Sequence, residues 1–161
     1  MMANASETTV FTKEDLLEHW QGHRRLTRLV IEAFPEDKIF TFTLGGMRPF
    51  GEMAFELLKM TIPIANGVAT GKWEGSKRTA PSSKAELLKL WDEDTAALNA
   101  VWPTIPAPRF AETDKAFGQW ECTGAAAILY GLDNEIHHRG QAYVYLRSLG
   151  ITPPSFWDGR K

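Results

Sequence analysis

The sequence predicts an all-α protein, a four-helix bundle. Three observations lead there. Apolar residues recur at steps of three and four along four stretches. A capping residue stands before three of those stretches. Segments rich in Gly and Pro separate them. The chain has 161 residues, 43% hydrophobic and 24% charged, an ordinary globular balance for one domain over 1–161 with one core.

The first helix is expected from about Lys13 to Phe34, with Thr12 as cap and Asp15 three positions on. Leu16, Trp20, His23, Leu26 and Val30 share one face, and Pro35 ends it. The second opens at Pro49, where a missing N–H costs nothing, and Met53, Leu57 and Met60 form its buried stripe. Pro63 is expected to kink or shorten it, leaving 66–81 as a loop. Ser83 and Glu86 form a capping box for the third helix, which carries Leu87, Leu88, Trp91, Leu98 and Val101. Pro103, Pro106 and Pro108 then stiffen a connection with a short extended piece around Phe117. Thr123 caps the fourth helix, which runs to Leu149 before Gly150. Gly124, Gly131 and Gly140 inside it point to close approach of a neighbouring helix. Connections of these lengths fit an antiparallel bundle or one with a long crossover.

A net charge of -2 gives no sign of a nucleic-acid or acidic-membrane partner. Arg24, Arg25 and Arg28 read as a solvated basic face. Cys122 is the one cysteine, so an intramolecular disulfide is excluded, and it reads as an idle thiol. The N-terminal residues lack the apolar stretch of a secretory leader, and no run is long enough for a membrane span, so a cytoplasmic protein is expected.

Histidines are the candidates for chemistry. His138 shares a helical stripe with Ala127, Gly131, Asn134, Gln141 and Tyr145, polar for a buried face. Buried polar groups must be hydrogen-bonded or bind something. His137 lies four residues after Asp133, the spacing of a local pair. His19 and His23, at i and i+4, can grip a metal or simply be one packed and one solvated ring.

The stretch DNEIHHRGQAYVYLRSLGITPP (133–154) closely resembles the signature of the DinB/YfiT-like superfamily. RPFGEM (48–53), Trp20 with Arg24, and TGKW ending at Trp73 fit the same pattern. The resemblance implies an up-down-down-up four-helix bundle and a metal site of three histidines. Carried onto this chain, those positions hold Glu56, Asn134 and His138. An amide is a poor ligand for zinc or nickel, whereas a carboxylate is a competent one. The set therefore reads either as a weak divalent site (Zn, Ni or Mn) or as a metal-free network joining Glu56 and His138. His23 is a candidate replacement ligand.

The resemblance also implies functions. One is a metal-dependent transferase or hydrolase acting with a low-molecular-weight thiol such as bacillithiol or mycothiol, with Glu56 as an alternative general base. Another is a non-catalytic protein that binds a small ligand in a pocket lined by Trp20, Trp91 and Tyr145. A third is a stress-associated homodimer.

Overall fold

The computed structural model describes residues 10–160; residues 1–9, on which the expectation about a secretory leader falls, lie outside the described residues. Its helices are α1 (Lys13–Ala33), α2 (Phe50–Thr70), α3 (Lys84–Val101) and α4 (Gly124–Ser148). A hairpin of β1 (Thr113–Ala116) and β2 (Trp120–Thr123) lies before α4, so the extended piece around Phe117 is two antiparallel strands with Phe117 in their turn. No helix among the described residues is long and apolar enough to cross a membrane.

Side-chain contacts give the helix directions. Trp20 bonds to Glu135 and Arg139 to His23, so α1 and α4 run parallel. Gln21 bonds to Asn99 while Arg28 meets Asp92, so α3 runs against α1. Glu56 faces His138 while Met60 faces Asn134, so α2 runs against α4. The bundle is up-down-down-up. Both α1 and α2 pack on α3 and α4, and the long connections 34–49 and 102–123 join diagonal helices.

The core has two apolar clusters. One gathers Val30, Phe34, Phe50, Leu57, Trp91 and Tyr145. The other gathers Trp20, Ile64, Val68, Leu98, Trp102 and Leu132. Between them every helix places a buried polar side chain: Arg24 and Thr27 from α1, Thr61 from α2, Asp94 from α3, Glu135 and Arg139 from α4.

Arg24 is the hub of this layer. It is 0% exposed, which corrects the expectation of a solvated face. Its Nε donates to Thr95 at 2.8 Å, and its guanidinium donates to Thr61 and to the Trp91 carbonyl. The same guanidinium lies 3.4 Å from Asp94, 3.8 Å from Glu135 and 4.2 Å from the centre of the Trp91 ring. Arg28 does lie on the outside, paired with Asp92 and Glu32. Helical period alone placed Arg24 with its basic neighbours. The five carbonyl, hydroxyl and carboxylate partners that let it be buried come from distant segments.

Three smaller corrections have local causes. Helix α2 runs through Pro63 to Thr70, and Gly71, at φ 73°, ends it. A mid-helix proline costs about 3 kcal/mol. Burying Ile64 and Val68 beyond it returns roughly 1.5–3 kcal/mol each. At α3, Ser83 accepts from the Glu86 N–H, but the Glu86 carboxylate turns to Ser82, so only half the expected box forms. The glycines of α4 also differ among themselves. A Cβ on Gly124 would lie 2.2 Å from the Arg109 carbonyl oxygen, so a tight approach exists there, made by the connecting segment. A Cβ on Gly131 would meet Ile64 at 3.2 Å, the expected helix contact. At Gly140 there is open space.

Two predictions come from this packing. Arg24→Met leaves Asp94 and Glu135 as buried charges without their shared cation, and should cost about 3–5 kcal/mol in urea unfolding. A loss of under about 1 kcal/mol would put the layer on a par with exposed ion pairs. Gly140→Ala should raise stability by about 1 kcal/mol, since only helix propensity changes. Gly124→Ala should lower the melting temperature; equal effects at the two sites would contradict the packing described.

Candidate functional site

Helix α4 turns Glu135, His138 and Arg139 to different tasks. Glu135 and Arg139 face α1 within the buried layer, where Glu135 accepts from Thr27 (2.6 Å) and Trp20 (3.3 Å). His138, between them in sequence, faces α2. Its Nε2 is 3.4 Å from Glu56 Oε1 and its Nδ1 is 2.9 Å from Gln141 Oε1. The Gln141 amide nitrogen faces His137 Nε2 at 3.5 Å, so its oxygen is the end that meets His138. Nε2 of His138 is the ring atom presented to Glu56.

Glu56 has a second partner that sequence reasoning missed. Arg48, just before the helix, places a guanidinium nitrogen 2.5 Å from Glu56 Oε2. Partial burial pushes the Glu56 carboxyl up, but Arg48 and then His138 outweigh it, and the group sits below the usual carboxylate range. Arg48 also offers its backbone carbonyl to the Tyr145 hydroxyl at 2.9 Å, which ties this end of α2 to α4. The only signal in the sequence was its place in RPFGEM.

The structure thus brings Glu56 and His138 together. Asn134 is one turn away on α4 and donates its amide N–H to Met60 Sδ at 3.1 Å. The donor set is then one imidazole nitrogen, one carboxylate already bridged by a guanidinium, and an amide. Among the described residues no group of three or more His, Cys, Asp or Glu is placed to hold a metal ion. A divalent ion on Glu56 would also lie against the Arg48 cation. These residues do not fit a tight zinc or nickel centre.

The other candidates fall elsewhere. His23 accepts at Nδ1 from Arg139 (2.7 Å) and packs edge-on against His19 beside the C-terminal turn. Its contacts are with α1 and Arg139, away from Glu56, so it is not a replacement ligand. His19 is exposed and His23 half-buried, the packed-and-solvated pair. His137 meets Gln141 and not Asp133, because Gln141 is itself drawn over by His138. Cys122 is partly buried on β2, and burial followed by the nearby Asp114 pushes its thiol up, as an idle thiol requires.

Trp20, Trp91 and Tyr145 do not line a pocket. All three are fully buried in the core, where Trp20 and Trp91 bond into the polar layer. The aromatic groove lies instead between the hairpin, α2 and α4. It has a volume of about 550 Å³, and Trp73, Phe117, Trp120 and Tyr130 line it with Lys59 and Met60. Met60 joins the two regions: it lines the groove on one side and holds Asn134 on the other. Only the pairing of the hairpin brings these rings together, so no helical period revealed them.

A pH prediction attaches to His23. Burial first, then the charge of Arg139, then His19 and Arg160, lower its pKa from 6.5 to about 4. Between those values the unfolded chain takes up a proton that the folded chain refuses. Stability is therefore lost as pH falls from about 6.5 towards 4, by about 1 kcal/mol after allowance for partial exposure. His23→Gln keeps an acceptor for Arg139 and removes the titration. The natural chain's melting temperature should drop further than the variant's between pH 7 and 4; parallel curves would show that His23 does not exclude a proton.

This architecture matches known proteins along nearly its whole length. The model of the DinB family matches residues 2–160. The uncharacterized protein YjoA of Bacillus subtilis is 24% identical over 148 residues, covering 90% of this chain and 96% of that protein. The crystal structure of that DinB-like protein superposes with a TM-score of 0.71 at 20% identity, covering 88% of this chain and 96% of the other. A DinB-like protein from Bacillus cereus superposes with a TM-score of 0.73 at 18% identity, covering 89% and 97%. With a family match spanning almost every residue, this chain belongs to the DinB family.

Proposed function

We propose that this chain is a small-molecule-binding member of the family whose inherited ligand positions act without a tightly held transition metal. The observation that carries this is the Arg48–Glu56 contact at 2.5 Å. It places a fixed cation on the one anionic ligand of the set. His138, Gln141 and His137 complete a hydrogen-bonded chain on the other side of Glu56. The groove one turn further along α2 supplies the apolar surface that a small ligand needs.

The same contact argues against Glu56 as a general base. A base working near neutral pH is tuned upward towards that range, usually by burial. Glu56 is held below its ordinary value by two hydrogen-bond donors. It is a better anchor than proton acceptor. The binding reading therefore stands ahead of a metal-free hydrolase or thiol transferase.

Metal affinity tests the reading. Equilibrium dialysis against a competing chelator should show weak Zn²⁺ and Ni²⁺ binding by the natural chain. The double variant Glu56→His with Asn134→His restores three imidazoles on an unchanged backbone and releases Arg48 from its partner. It should bind either ion roughly 100-fold more tightly. Equal, tight binding by both proteins would overturn the proposal and return the chain to the metal-dependent class.

A further inference from the structure

The groove between the hairpin, α2 and α4 carries more information than its volume. Its rings form two pairs. Trp73 meets Phe117 edge-on at 5.3 Å between ring centres, and Trp120 meets Tyr130 at 5.1 Å, tilted by 59°. Tilted pairs leave ring faces uncovered on which a third ring can stack. Phe117, Trp120 and Tyr130 are 39%, 40% and 51% exposed, a concentration of aromatic surface left to water on one wall system. Trp73 is held in place from behind by a bond from its Nε1 to Asp114 at 2.9 Å.

The backbone of the hairpin turn points the same way. Phe117 has φ 52°, and Gly118 follows with φ 68°. Two successive residues with positive φ are what a tight hairpin turn asks for, and Asn-Gly answers that demand best. An aromatic residue in the first position is held against its own backbone preference. What it gives in return is a ring on the groove wall.

Charge then selects the ligand. Four aromatic faces alone suit a cation. Lys59, however, lines the groove and has no ion pair among the described residues; its ammonium lies 5.2 Å from the centre of the Phe55 ring. Of the acids around it, Asp114 is engaged by Trp73 and Arg109 and Glu56 by Arg48 and His138, while Glu52 shares the adjoining hollow with Lys59 without an ion pair to it. The groove therefore presents an ammonium without an ion pair beside edge-on and tilted rings.

We propose that this groove takes a flat aromatic anion, an aryl or bicyclic carboxylate, with its rings between the two aromatic pairs and its charge on the Lys59 ammonium. The proposal rests on the binding reading above and names the ligand class for it.

Isothermal titration with three probes of one shape tests it: 2-naphthoate, the neutral 2-naphthalenemethanol and the cationic 2-naphthylmethylamine. The natural chain should bind naphthoate about fivefold more tightly than the alcohol at low salt, with the preference shrinking as salt is added. The amine should bind most weakly. Lys59→Met should reduce naphthoate to the level of the alcohol. Phe117→Asn should raise the melting temperature, because the turn gains its preferred residue, while weakening the binding of naphthoate; loss of affinity in a more stable protein separates recognition from folding. Equal binding of all three probes would overturn the anion assignment and leave the groove as a binding site. No binding of any probe at millimolar concentration would overturn the binding reading as well. Undiminished affinity in Phe117→Asn would remove the ring clamp.

Discussion

The buried cation of Arg24 is the constraint around which the bundle is arranged. A guanidinium taken wholly out of water is costly unless each of its donors finds an acceptor. Here the acceptors come from α2, α3 and α4 together: Thr61, the Trp91 carbonyl with Thr95 and Asp94, and Glu135. Such a layer adds little net stability compared with apolar packing. Its effect is on register. Each helix crosses from one apolar cluster to the other at the level of its polar residue. Sliding any helix by one turn would drive a polar or charged side chain into the apolar clusters and leave its partner bare. Asp94 also reaches outward to Arg78, 3.0 Å away, so the layer anchors the loop that follows α2.

That register positions the candidate site. Glu135 and Arg139 are fixed against α1, and His138 between them is thereby turned towards α2 with no freedom to choose another face. On α2, Thr61 is held by Arg24, and Glu56 and Met60 follow at fixed helical offsets towards His138 and Asn134. The site is a by-product of the structural layer. Its two interhelical contacts need no contribution from loops except Arg48.

How much of this the sequence disclosed depended on whether the cause was local. Caps and helical period are local, and Thr12, Ser83 and Thr123 mark helix starts that the structure keeps. The end of α2 lies beyond the point its sequence implies, because the factors that outweigh Pro63 are the distant surfaces covering Ile64 and Val68. Arg24 reads in sequence like any basic residue on a helix, since its burial depends on five partners that lie far off in the chain. The proximity of Glu56 and His138 was legible through the family pattern, not through chemistry. Arg48, Met60 and the aromatic wall were not legible, because a turn and a hairpin pairing create those contacts.

The contact between Arg48 and Glu56 explains how a carboxylate is accommodated where the family resemblance implies a histidine. A histidine is neutral when it ligates, and a glutamate at the same place adds a negative charge beside His138. Within a partly buried site such a charge must be balanced by a metal ion, by a protonated His138 or by another side chain. Arg48 supplies the balance permanently, from outside the helix, and also ties Tyr145 through its carbonyl. The carboxylate then has no electrostatic need of a divalent ion, and a divalent ion would meet the repulsion of the guanidinium. Asn134, uncharged, adds nothing to that balance and can engage Met60. Glu56, Asn134 and Arg48 thus form one charge-balanced set, and the proposed recognition of a ligand rests instead on the exposed rings and on Lys59 of the neighbouring groove.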